Sequence, residues 1–182
     1  MQGVPNTAFT EALAFNFQKR DLELLGIKDN DPAKEALAAI DNFWMSYEIM
    51  GVSLLDMKVW KWLYENPTAT KEQLKETVVK TAIEVWNQYY APVFGTKDTP
   101  ILAIYSHMID NPLYLSAYPI GHLIDFQIEK YIEGKPFASE IQKMLLNGSI
   151  IPQLWMKNAV GKEISGQALI DATDEALKNV KE

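Results

Sequence analysis

Apolar residues recur along this chain at three- and four-residue intervals almost from end to end, the period of helices with one face in a core. From Thr7 to Leu25 the positions Phe9, Leu13, Phe17, Leu24 and Leu25 mostly keep that spacing, and Gly26 suits a C-terminal stop. Asp31-Pro32 reads as an N-cap followed by proline at the first helical position, where its missing N–H costs nothing and its fixed φ helps. The helix behind it carries Leu37, Ile40, Phe43, Trp44, Tyr47 and Ile49 and is predicted to end about Gly51. Ser53 is placed to cap a short helix running through Val59, Trp60 and Leu63 to Asn66-Pro67. Thr70-Lys71-Glu72-Gln73 has the form of a capping box and opens a helix to about Tyr90.

The stretch Ala91–Pro100, with Pro92, Gly95 and Pro100, is the longest predicted loop. Beyond it, Ile101–Ile109 reads as one short helix and Tyr114–Glu133 as a longer one, with Pro119 either in its first turn or at a bend. Gly134-Lys135-Pro136 separates this from a helix over Phe137–Leu146, which Asn147-Gly148 terminates. Helices over Ile151–Val160 and Gln167–Lys181 complete the set, the last expected to dock loosely. No segment alternates with the two-residue period of a strand, and no repeat appears. The pattern predicts an all-α chain forming one irregular helical domain of about 7-9 helices over residues 1–182.

Composition narrows the function classes. A chain of 182 residues, 48% hydrophobic and 23% charged, can bury a core without staples. A net charge of −7 with no basic run argues against a nucleic-acid surface. The absence of cysteine removes disulfides and thiolate metal sites. Met1–Asn6 lacks the basic flank and apolar stretch of a signal segment, and charges interrupt every apolar run short of the ~18–20 residues that span a bilayer. The chain therefore reads as soluble with no membrane segment, and its compartment is not written in it.

Most aromatic residues take the ordinary explanation. Trp44, Tyr47, Trp60, Trp62, Tyr64, Trp86, Tyr89 and Tyr90 lie on predicted helix faces and read as core. Lys71 with Lys75, and Glu72 with Glu76, read as solvated faces. Glu11 differs, because its neighbours Phe9, Ala12 and Leu13 predict a partly buried carboxylate, which needs a cation or hydrogen bonds. The simpler reading is an exposed glutamate favoured by the helix dipole. His107 and Tyr118 can both donate hydrogen bonds to a developing oxyanion, or be an ordinary core imidazole and phenol. His122 lies four residues after Tyr118 on the same helical face, placed to orient the phenol or to pack beside Asp125.

These residues sit in segments that resemble a known family. Asn6-Thr7-Ala8-Phe9-Thr10-Glu11-Ala12-Leu13 is similar to the third-ligand segment of angiotensin-converting-enzyme-like zinc peptidases, gluzincins related in fold to the thimet oligopeptidase and carboxypeptidase Taq groups. Tyr118-Pro119-Ile120-Gly121-His122-Leu123-Ile124-Asp125-Phe126-Gln127-Ile128 resembles the helix that starts with that family's intermediate-stabilising tyrosine. His107 falls within one residue of the spacing of its substrate-binding histidine. Phe137–Ile141 through Leu146–Ser149, followed by Gln153-Leu154-Trp155, resembles the family's small-helix, glycine and Pro-Trp region. The resemblance implies Glu11 as a Zn2+ ligand, with His107 and Tyr118 as catalytic and substrate-binding groups acting on a peptide.

Two departures limit what the resemblance carries. The family's other two ligands and its general base lie on a His-Glu-x-x-His helix upstream of the glutamate, yet no histidine precedes Glu11 here; His107 and His122 are the chain's two. Three protein ligands are normal for catalytic zinc, so tight zinc and hydrolysis are not expected of this chain alone. The expectation is the C-terminal part of a larger peptidase domain, with the missing upstream half as its partner. In addition, Leu115 stands where the converting enzyme has a second clamp tyrosine, and no lysine lies near His107 in sequence. The other class of reading is a non-catalytic helical interaction or scaffold domain, self-associating through exposed apolar surface.

Overall fold

Helix α1 begins where the sequence places it, with the Asn6 side chain accepting a hydrogen bond from the Ala8 N–H at 3.1 Å, and spans Thr7–Gln18. The computed structural model describes residues 3–27 and 31–180, without the side chains of Leu22 and Leu24. All regular structure among them is helical, with α2 over Asp21–Leu24, α3 over Pro32–Glu65, α4 over Lys71–Val85 and α5 over Ala91–Phe94. Next come α6 over His107–Asp110, α7 over Ala117–Ile132, α8 over Phe137–Leu145, α9 over Pro152–Val160 and α10 over Gln167–Asn179. The one-turn elements α2, α5 and α6 aside, seven substantial helices carry the fold, the all-α class that the periodicity predicts. The predicted end at Lys181 lies outside the described residues.

Several boundaries differ from the pattern, each for a local reason. The run from Thr7 to Leu25 is two helices, because the chain turns at Lys19 and Arg20, whose side chains reach α7. The segments predicted to meet at Gly51 and Ser53 are one helix of 34 residues. Ser53 does not cap: its hydroxyl lies 2.7 Å from the Ile49 carbonyl and 2.9 Å from that of Leu115. Ile101–Ile109 divides into a 3-10 turn over Ile101–Ile104 and the short α6. The Thr70 capping box forms as predicted, and Pro119 sits in the first turn of α7. Trp86 and Tyr90 are buried, whereas Trp44, Tyr64 and Tyr89 of the expected core are exposed.

The contacts divide the chain into two compact units, Met1–Ser46 with Ala117–Glu182, and Tyr47–Ser116. In the first, α1 and α7 form the central pair. Ala8, Ala12 and Asn16 on α1, and Ala117, Gly121 and Asp125 on α7, are buried at four-residue intervals. Asn16 meets Asp125, and Arg20 meets Glu129, both at a sequence offset of 109, so the two helices run parallel in fixed register. Small residues let the backbones approach closely: a Cβ added at Gly121 would lie 2.9 Å from Glu11 Cβ and 3.1 Å from the Ala8 carbonyl. Phe9, Ile124, Ile128, Met144, Met156 and a fully buried Trp155 form the core beside this seam, with Phe9 edge-on to Trp155 at 5.0 Å. The last helix is well docked, with Ala168 and Leu169 buried against Phe126 and beside Phe43.

In the unit Tyr47–Ser116, α4 continues into a π-turn over Trp86–Tyr90, and this carries the Tyr90 phenol onto α3. There it accepts a hydrogen bond from the Gly51 N–H at 2.9 Å and lies 2.6 Å from the Tyr47 carbonyl, to which it donates. Those two backbone groups are the donor and acceptor of one i→i−4 step, so the phenol inserts into the ladder of α3. Glycine at 51 is what admits it, since an added Cβ would fall on the Tyr90 ring and hydroxyl. Gly51→Ala should therefore lower stability by roughly 1–3 kcal/mol through overpacking, although alanine is the better helix former. Urea unfolding checks this, and a gain in stability would remove the proposed role of Gly51.

Candidate functional site

Glu11 is half-buried, as its neighbours predict, and its side-chain stem lies against the α7 backbone at Gly121. Tyr118 stands three residues before Gly121, in the first turn of α7, and is also half-buried. The α1/α7 register thus brings Glu11 to within about a turn of Tyr118, residues far apart in the chain. Tyr118 is held on a helix end preset by Pro119 and followed by a glycine where the two helices touch. Glu11 and Tyr118 share one unit, and His107, half-buried on α6, belongs to the other.

His122 is buried, and its ring stacks on Phe15 with centroids 4.1 Å apart and planes 3° from parallel. Its Nδ1 has no hydrogen-bond partner among the described residues. Burial, assisted by the nearby Lys19 charge, pulls its pKa down to about 4, so the imidazole is neutral at ordinary pH. One turn further along α7 is a cluster that the sequence reading did not assemble. Asp125, with no exposed surface, accepts a hydrogen bond from the Asn16 amide and an ion-paired one from Lys19. Burial pushes the Asp125 carboxyl up to about 6, against the opposing pull of Lys19. The next turn closes with Arg20, bidentate on Glu129 at 2.6 and 2.8 Å and lying 3.8 Å over the Phe137 ring. The signal for the cluster was present in the two matching four-residue ladders, Ala8/Ala12/Asn16 and Ala117/Gly121/Asp125, each ending in a polar residue.

The arrangement can present a carboxylate and a phenol at one helix seam, braced one and two turns on by partly buried charge pairs. As a zinc site the described residues do not suffice: no group of three or more His, Cys, Asp or Glu among them could hold a metal ion. His122, packed on Phe15, has the pKa of a buried neutral imidazole, and Asp125 is occupied by Lys19 and Asn16. Among the described residues no helix is long and apolar enough to cross a membrane. Comparison with known proteins gives no match to a family model, to a curated protein or to a solved structure.

Proposed function

We propose that this chain is the C-terminal part of a gluzincin-like zinc metallopeptidase domain, in which Glu11 is the third metal ligand and Tyr118 donates a hydrogen bond to the oxyanion of the tetrahedral intermediate. One observation supports this reading above the others. Glu11 and Tyr118, which the resemblance pairs across more than a hundred residues, flank the same contact between α1 and α7 at Gly121. A ligand carboxylate and an oxyanion donor need fixed placement, and a close-packed parallel helix pair supplies it. The role of His107 as a substrate-binding group rests on the resemblance alone. Two further ligands and the general base would come from outside this chain. The metal would polarise the scissile carbonyl and activate water.

The test is hydrolysis of blocked peptides by the product of the uninterrupted reading frame that contains this chain. Activity abolished by a chelator and restored by Zn2+ is the expected result; no hydrolysis, or hydrolysis indifferent to the chelator, would overturn the reading. The second reading, a non-catalytic helical interaction domain, draws on apolar side chains left in solvent, such as Ile104 and Ile109. It predicts no hydrolysis under either condition.

A further inference from the structure

Within the unit Tyr47–Ser116, Trp60 of α3 and Leu74 of α4 face Ile104 and Ile109 across an apolar cleft of about 590 Å3. Ile104 and Ile109 are 72% and 75% exposed, more than any other large apolar side chain among the described residues. Along one edge of the cleft stand Lys71 and Lys75, one turn apart on α4. Lys71 has the exposed Glu72 at 3.7 Å, and Lys75 has no salt-bridge partner among the described residues. In a chain of net charge −7, two cations beside an apolar slot run against the overall field.

We propose that this cleft binds a single-chain amphiphile with an anionic head, namely a free long-chain fatty acid. Its alkyl chain lies between Trp60, Leu74, Ile104 and Ile109, and its carboxylate lies against Lys71 and Lys75. The paired lysines beside an apolar lining favour this occupant. The cleft is within the range of about 300–1,000 Å3 that holds small ligands, with an apolar lining and few polar groups at the mouth. Charge complementarity decides the sign of the head, since a carboxylate beside two lysines gains what an ammonium would lose.

Isothermal titration of the whole chain with dodecanoate, below its micellar concentration, tests the proposal. One-to-one saturable binding is expected, strengthening by roughly fourfold per methylene from decanoate upward until the slot is filled. Ile104→Ser and Lys75→Glu, both at exposed positions, should each weaken binding by about tenfold while leaving the urea unfolding curve in place. The double variant Lys71→Glu/Lys75→Glu should prefer dodecyltrimethylammonium to dodecanoate. Absence of saturable binding, equal binding of the two head groups by the unaltered chain, or insensitivity to Ile104→Ser would overturn it. So would dodecanoate failing where an acidic amphipathic peptide binds, or where a dimer forms that Ile104→Ser dissolves. Those two results would assign the cleft to a helical partner or to a second copy of the chain.

Discussion

Replacing Asp125 by asparagine should make the protein lose about 3 kcal/mol of stability, relative to the unaltered chain, as pH falls from 6.5 to 4. Two buried groups on one face of α7 have pKa values that move in opposite senses. Burial raises the Asp125 carboxyl from 3.8 to about 6, so between those values the folded chain holds a proton that the unfolded chain has released. Stability from this group is present below 3.8 and lost as pH rises through 6. Burial lowers His122 from 6.5 to about 4, so in nearly the same window the unfolded chain holds a proton that the folded chain lacks. Stability from this group is present above 6.5 and lost as pH falls through 4. In the unaltered chain the two proton counts cancel, and their joint contribution is nearly flat between pH 4 and 6. Asp125→Asn leaves the histidine linkage alone, with a slope of about 1.4 kcal/mol per pH unit. His122→Gln leaves the carboxyl linkage, with the opposite slope. Urea titrations of the three chains from pH 4 to 7 measure this, and parallel profiles would contradict the account of the cluster.

In the product of the uninterrupted reading frame, Tyr118→Phe should lower kcat by on the order of 10²–10³ and change KM little. A donor to the oxyanion meets full charge only in the transition state, so removing its hydroxyl leaves ground-state binding nearly intact. The phenyl ring retains the half-buried packing of Tyr118 in the first turn of α7, so the fold should hold. An unchanged kcat, or a rise in KM with kcat preserved, would remove the oxyanion role and leave Tyr118 as a packing residue.

Local chemistry was legible wherever a helix end depends on its own neighbours. Asn6, the Thr70–Gln73 capping box and the left-handed Gly26, Gly95, Gly134, Gly148 and Gly161 mark ends or turns close to where the pattern puts them. Gly51 and Ser53 misled because the same residue types serve tertiary purposes there. The glycine makes room for the Tyr90 phenol, and the serine hydroxyl reaches the Leu115 carbonyl. The partial burial of Glu11 followed from three adjacent apolar residues, whereas its nearness to Tyr118 depends on a parallel pairing that no local pattern encodes. The Asn16, Lys19 and Asp125 cluster was legible only in part: the matching ladders ending in Asn16 and Asp125 mark a seam, but only the parallel register sets Asn16 against Asp125 and brings Lys19 to the same carboxylate. Lys71 and Lys75 read as a solvated face, and only the folded segment 103–109 places an apolar slot beside them.

The most direct test of Glu11 as a metal ligand is the zinc content of the product of the uninterrupted reading frame after exhaustive dialysis, with and without Glu11→Gln. The proposed role of Glu11 predicts one Zn2+ per chain in the unaltered protein and at least a tenfold loss of affinity in the variant, as expected when one of three protein ligands goes. Zinc retained equally by both proteins would contradict it, as would a protein that holds no zinc at all.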